Sequence, residues 1–203
     1  MRVTHFADPP FMHSITLVRL ARLVPFLAML AAAGCATGTG PARLSAAQLA
    51  DPARGVVLLS TGARERCSSQ AMWAPILDGR TFEFQSALPI VPIDANSNSD
   101  FPDHYGTLSA LSLPPGHYAI SLLYANPVSE TNVSPGYAFD VVAGRTLYLG
   151  ELYRDSPCGA RALFAVRDQY DRDVALAGRA NPDFARRAPE RMLLEPLGPI
   201  PLR

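Results

Sequence analysis

Between Gly55 and Asp168 the apolar residues never hold a helical period. They come as short runs or alternations, separated by Gly, Pro, Asn and Asp. "GVVLLS", 55–60, is a continuous apolar run of strand length. "RTFEFQS", 80–86, alternates, with Phe82 and Phe84 on one face, and "GTLSALSL", 106–113, is a weaker strand. In "LPPGHYAISLLYA", 113–125, Pro114-Pro115-Gly116 reads as a turn with Gly116 at positive φ. Tyr118, Ile120, Leu122 and Tyr124 then share one face. "YAFDVVAGRTLYLGELY", 137–153, reads as two strands around an Ala143-Gly144-Arg145 hairpin, and "RALFAVRD", 161–168, as one more. About seven short strands must pair and stack to bury their apolar faces. The pattern predicts an all-β chain, a small antiparallel β-sandwich.

The period changes after Asp168, which is placed to cap a helix with Asp171 in its first turn. Tyr170, Val174 and Ala177 fall on one face, and Gly178 is placed to stop the helix. Asn181-Pro182-Asp183 starts a second, with Pro at the first helical position. The expected domain therefore spans 55–190 and ends in one or two short helices. The tail, 191–203, carries too many prolines for regular structure and is expected to pack in an extended form.

Ahead of the sandwich lies a different kind of segment. Arg19 and Arg22 precede the apolar stretch Leu23–Leu30, and Ala31 to Gly34 are small, which together make a secretory signal over 1–34. The run is too short to span about 30 Å of hydrocarbon as a helix. Residues before Met12 include Asp8 and Pro9-Pro10, which suit no signal, so Met12 is a candidate start. Residues 35–54 open with "CATGTGPARLS", small and polar, and read as a flexible tether in which Ser45 caps a single helical turn stopped by Pro52.

Ala32-Ala33-Gly34-Cys35 resembles the lipobox of bacterial lipoproteins, although that family usually has Leu where Ala32 stands. The resemblance implies a diacylglycerol on the Cys35 thiol and cleavage just before it, hence a membrane partner held through Cys35. Ala36, rather than Asp, implies the periplasmic side of the outer membrane; the alternative is a soluble secreted or periplasmic protein. "LPPGHYAISLLY" followed by "FDVVAGRTLYLGELY" also resembles a group of bacterial lipoproteins without a characterised function. Their sandwich is thought to be transthyretin-like, as in carboxypeptidase regulatory domains. In that pattern Gly116, Gly144 and Gly150 serve backbone needs and Tyr118 and Tyr148 serve packing. The resemblance carries over no catalytic residue and no cofactor.

All 18 basic side chains are Arg, balanced by 18 Asp plus Glu, and no basic block appears, so nucleic acid has no electrostatic footprint here. With Cys35 assigned to lipid, Cys67 and Cys158 remain as an even pair in an oxidising compartment, and a disulfide is expected. With His104 and His117 they show no zinc-ligand spacing. Asp94, Asn96 and Asn98 alternate as in a calcium loop, but Ser99 stands where that loop needs Gly and Tyr105 where it needs Glu. The expected metal is none. Asp103-His104 with a serine is the one conceivable hydrolytic triad, and no Gly-x-Ser-x-Gly elbow accompanies it. His117 follows a turn glycine, where a polar residue is ordinary. Trp73 is expected over the disulfide or at the core rim, and Tyr118, Tyr124, Tyr148 and Tyr153 in packing. Asn132-Val133-Ser134 reads as loop. The sequence thus predicts a non-enzymatic envelope lipoprotein that binds or supports an envelope protein partner. The alternative is an envelope hydrolase with an unrecognised site.

Overall fold

The strand-forming sequence builds two stacked sheets. The structure is a computed structural model that describes residues 40, 43–65, 71–91, 99–125, 133–158, 160 and 163–201, the side chains of 71–73, 88–91, 123–125, 133 and 201 excepted. All of these residues belong to one compact unit, Cys35–Arg203.

Sheet A has the order β10-β8-β1-β4, with β9 also on β8. Its strands are β1 (Gly55–Ala63), β4 (Tyr105–Leu113), β8 (Thr146–Arg154), β9 (Phe164–Arg167) and β10 (Glu190–Arg191). Sheet B has the order β11-β7-β5-β2-β3, with β6 on β2. It holds β2 (Ala71–Asp78), β3 (Phe84–Val91), β5 (Gly116–Ser121), β6 (Leu123–Ala125), β7 (Val133–Val141) and β11 (Glu195–Pro201). Among the described residues, three short helices complete the order: α1 (Ala46–Ala50), α2 (Tyr170–Ala180) and α3 (Pro182–Ala185). Among the described residues, no helix is long and apolar enough to cross a membrane.

The β-sandwich expected from the alternation is therefore present, with helices after it, but its sheets are not wholly antiparallel. β8 runs parallel to β1 and β10 parallel to β8. The cause lies at Ala143-Gly144-Arg145, which is not a hairpin. β7 belongs to sheet B and β8 to sheet A, so the chain crosses between sheets there. The crossing is docked on the start of β1, where Gly144 N donates to Arg54 O and Val56 N donates to Arg145 O. Gly144 takes φ +72, as the turn requires, whereas Gly116 is not among the residues with positive φ. The Pro114-Pro115-Gly116 turn is closed differently. The Tyr118 hydroxyl donates to Pro114 O at 2.9 Å, tying the start of β5 back to the end of β4.

Two further expectations shift. "RTFEFQS" does not begin a strand at Arg80. The Asp78 carboxylate accepts from the Arg80 and Thr81 amides and bends the chain, so β3 starts at Phe84, which is left exposed. The tail packs in an extended form as expected, but over Glu195–Pro201 it does so as a regular strand. β11 pairs with β7, and Pro199 faces Pro135. A pair without N–H groups exchanges no bonds, so the neighbouring pairs carry the ladder and the Pro199 nitrogen points outward. That is where an edge strand tolerates proline.

Between the sheets lies the main core, in which Leu59, Leu111, Leu149 and Leu152 of sheet A meet Ile76, Tyr118, Ile120 and Phe139 of sheet B. The outer face of sheet A is buried too. Val56, Leu58, Leu108 and Tyr148 pack under Leu44, Leu49, Ala177 and Phe184. The chain from Arg43 onward is thus part of the folded body rather than tether. Ser45 and Gln48 form a complete capping box on α1, and Asn181 caps α3 with Pro182 at its first position. α2 is capped differently from expectation. Gln169 is its N-cap without a side-chain bond, Asp168 accepts from Tyr170 N, and the helix runs through Gly178 to Ala180. Gly178 is used for close approach, since a Cβ there would lie 3.3 Å from Ala185 Cβ.

Candidate functional site: a charge network beneath α2

The site is set by one inserted residue in β8. Leu58 lies opposite Tyr148 and Ser60 opposite Glu151, so β8 carries one residue more than β1 over this stretch. The extra residue is accommodated at Gly150, whose φ of +94 a β-carbon would strain. Leu149 and Leu152 consequently both face the inner core, while Tyr148 and Glu151, three apart, both face outward. A regular strand would have sent one of each pair to the wrong side.

Glu151 is fully buried, and basic side chains close around it. His104 Nε2 lies 2.7 Å from its Oε1, Arg172 Nη2 donates to the same oxygen at 3.0 Å, and Arg167 Nε is 3.3 Å from Oε2. The other ring nitrogen of His104 lies 2.8 Å from Asp103 Oδ1. Gly62 of β1 makes room, since a Cβ there would come within 2.9 Å of Glu151 Oε1 and 3.0 Å of the His104 ring. Aromatic rings wall the cluster. His104 stacks on Phe101, Arg172 lies over the Phe101 ring at 3.9 Å, and Arg167 lies over Tyr153 at 4.1 Å.

The network continues under the helix. Arg172 Nε donates to Asp173 Oδ1 at 2.8 Å, and the Ser60 hydroxyl donates to Asp173 Oδ2 at 2.6 Å. The Tyr148 hydroxyl donates to that same oxygen and accepts from Gln169 N. Burial pushes the Asp173 carboxyl above the ordinary value, against the pull of Arg172 and Ser60. Burial, reinforced by the Asp173 charge, also raises the Tyr148 phenol. The hydrogen bond from His104 holds the exposed Asp103 carboxyl low.

Of the residues singled out from sequence, Asp103 and His104 are together, but the group opposite His104 is a carboxylate and not a serine. Ser99 is spent on the backbone, accepting from Phe101 N and Gly106 N and donating to His104 O. His117 pairs across strands with Asp140 at the surface of sheet B. Tyr118, Tyr148 and Tyr153 are buried in packing as expected. Cys35, Cys67, Asp94, Asn96, Asn98 and Asn132, and the side chains of Trp73 and Tyr124, lie outside the described residues. Cys158 is described; its N–H donates to Glu65 Oε1 at 2.6 Å, which brings the end of β8's loop beside the segment leading to Cys67. Among the described residues, no group of three His, Cys, Asp or Glu side chains is arranged to hold a metal ion.

Sequence reasoning missed Ser60, Gly62, Glu151, Arg172 and Asp173. The available signal was a lone Glu beside Gly inside "TLYLGELY", a charge in an otherwise apolar strand. Comparison with protein-family models, with curated proteins and with solved structures returned no match.

Proposed function

We propose that this chain is a lipid-anchored envelope protein whose β-sandwich binds or supports another envelope component without catalysing a reaction. The observation that carries the anchor is the run Leu23–Gly34 followed by Cys35, and Ala36 supports retention on the periplasmic side of the outer membrane. The observation that supports a non-catalytic body is the use to which its reactive groups are put. Both His104 nitrogens face carboxylates, and the Ser60 hydroxyl is given to a buried aspartate. A general base must reach a substrate proton and a nucleophile must be free to attack. Here His104 and Ser60 are both already engaged by carboxylates.

In the same reading the sandwich is of the transthyretin-like kind, on the strength of the Pro-Gly turn, Tyr118, and the Gly144 and Tyr148-Leu149-Gly150 pattern. Cys67 and Cys158 form a disulfide. The Glu65–Cys158 contact and the bond from Arg64 N to Arg154 O support it, by holding the two segments side by side. Mass spectrometry of the protein purified from crosslinked envelopes tests all of this. The expected result is an acylated N-terminal Cys35, a Cys67–Cys158 crosslinked peptide under non-reducing conditions, and one dominant protein partner. An unmodified N-terminus elsewhere overturns the anchor, and an acylated protein without a partner favours an enzyme.

A further inference from the structure

The folded body begins close behind the candidate anchor. Gly40 O accepts from Arg43 N at 3.0 Å, Asn181 Nδ2 donates to Leu44 O at 2.7 Å, and Leu44 packs in one cluster with Leu49 and Phe184. The chain at Gly40 is thus tied to the layer that α1 and α3 make over the outer face of sheet A. Gly40 is five residues from Cys35, and five residues span at most about 18 Å. A compact chain of this length is about 40 Å across. A membrane that holds Cys35 therefore meets the α1–α3 side of the body, and the outer face of sheet B cannot turn to reach it.

That side carries positive charge in a chain whose formal net charge is zero. Segments 43–54 and 179–187 hold Arg43, Arg54, Arg179, Arg186 and Arg187 against Asp51 and Asp183. Arg54 is turned onto Ser112, whereas Arg43, Arg179 and Arg186 are exposed. A groove of about 410 Å³ is lined by Ala46, Leu49, Ala50, Asp183, Arg186 and Arg187. Its apolar side is α1, and its charged side is α3 with the two residues that follow. Arg186 pairs with Asp183, and Arg187 donates to Thr146 Oγ1 at 3.4 Å, so each spends one bond of a guanidinium's five donors. An apolar wall beside two guanidinium groups fits the boundary of a bilayer, where phosphate oxygens lie next to acyl chains.

We propose that the α1–α3 face is a membrane-docking surface whose groove takes the phosphate of an anionic lipid headgroup at Arg186 and Arg187. The proposal rests on the acylated Cys35 of the reading above and adds to it the orientation of the body. The anchor keeps the groove within reach of the headgroups, and the arginines favour lipids with net negative charge. Each arginine close to an anionic surface strengthens the contact about fivefold, and salt screens that gain. Sheet B, with the His117–Asp140 pair on its surface, is left facing the aqueous side.

Amide hydrogen exchange of the purified protein on vesicles tests it, with mass spectrometry of the N-terminus on the same sample. One set of vesicles is phosphatidylcholine, the other equal parts phosphatidylcholine and phosphatidylglycerol. On the anionic set, segments 46–50 and 184–187 should exchange about fivefold or more slowly than on the neutral set, and about 0.5 M salt should remove the difference. Segment 118–120 of sheet B should not change. Equal exchange of 46–50 and 184–187 on both sets overturns the proposal. Arg186→Gln combined with Arg187→Gln should abolish the lipid-dependent protection while 118–120 stays as protected as in wild type; protection retained in that variant also overturns it. Should the variant fail to fold, the wild-type comparison of the two lipid sets still decides. The anchor is read separately. Lipid-dependent protection in an unacylated protein upholds the docking face and refutes the anchor, whereas an acylated protein without that protection upholds the anchor and refutes the face.

Discussion

On its inner side, sheet A meets sheet B through Leu59, Leu111, Leu149 and Leu152. On its outer side, the same strands meet α1, α2 and α3 through Leu58, Leu108 and Tyr148, and then through Ser60, Glu151, Arg172 and Asp173. Apolar burial is non-directional and scales with area, at roughly 25 cal/mol per Å². The charged half of the outer interface obeys other rules. Ser60, Glu151 and Asp173 have lost water, and each depends on named partners at fixed distances. The inner contact therefore accepts any well-fitting apolar side chain, whereas the outer one accepts one arrangement of α2 and of the segment 99–104. A fold that needed only a second core could have placed leucines there.

The widest test of that contrast is Glu151→Gln. It preserves shape and removes the charge on which His104, Arg172 and Arg167 converge. Breaking a buried pair from one side costs about 3–5 kcal/mol, and since Glu151 is fully buried while Arg172 and Arg167 are part-exposed, the low end of that range is expected. Chemical denaturation should report that loss. A cost below about 1 kcal/mol, the scale of an exposed pair, would mean that water reaches the cluster and that the two faces do not differ in kind.

Leu149→Ala on the inner face should come next, at about 2–5 kcal/mol, from lost transfer energy and the cavity left behind. Leu149→Met should cost less than about 1.5 kcal/mol, since volume is kept. If Met is as damaging as Ala, the inner face is as particular as the outer one and the distinction fails. Gly62→Ala then probes the outer face without touching a charge. Its Cβ would press between Glu151 Oε1 and the His104 ring, and about 1–3 kcal/mol is expected from the forced shift. Thermal unfolding of the purified variant measures it.

The contrast also explains which parts were legible from the amino-acid sequence. Alternation places Tyr118, Ile120 and Leu122 on one face by itself, and the capping box of α1 and the Asn181-Pro182 start of α3 are local chemistry. Those elements need no tertiary information. Phe82 and Phe84 misled because the Asp78 carboxylate captures two amides and delays the strand. The Gly144 turn misled because a turn does not say whether its strands return to one sheet or change sheets. The outer network was hidden for a deeper reason. Ser60 and Glu151 look like solvent positions, and both are fully buried. What makes them interior is a helix more than a hundred residues from Ser60 in sequence, together with a bulge whose only sequence mark is Gly150.

The smallest and most controlled comparison uses the same atom on each face. Tyr118 and Tyr148 are both buried tyrosines, and each loses one hydroxyl on substitution by Phe. Tyr118 gives its proton to a neutral carbonyl, Pro114 O, at the rim of the inner core. Removing that bond should cost about 0.5–1.5 kcal/mol. Tyr148 gives its proton to the buried Asp173 carboxylate and accepts from Gln169 N, so Tyr148→Phe strips a charge-assisted bond and leaves an amide unmet, at about 1.5–3 kcal/mol. The pH dependence separates them further. Asp173 already titrates above 3.8, chiefly because it is buried, and the Tyr148 hydroxyl is one of the groups holding it down. A carboxyl raised by folding binds its proton more tightly in the native state, so its contribution to stability improves as the pH falls through its folded value toward 3.8. Tyr148→Phe raises Asp173 further and should steepen that improvement relative to wild type, whereas Tyr118→Phe, remote from any buried carboxylate, should run parallel to wild type. Melting temperatures of the three proteins between neutral and mildly acid pH decide the matter. Parallel curves for all three would mean that Asp173 is not ionised beneath the helix, and the outer interface would then be polar but uncharged at that point.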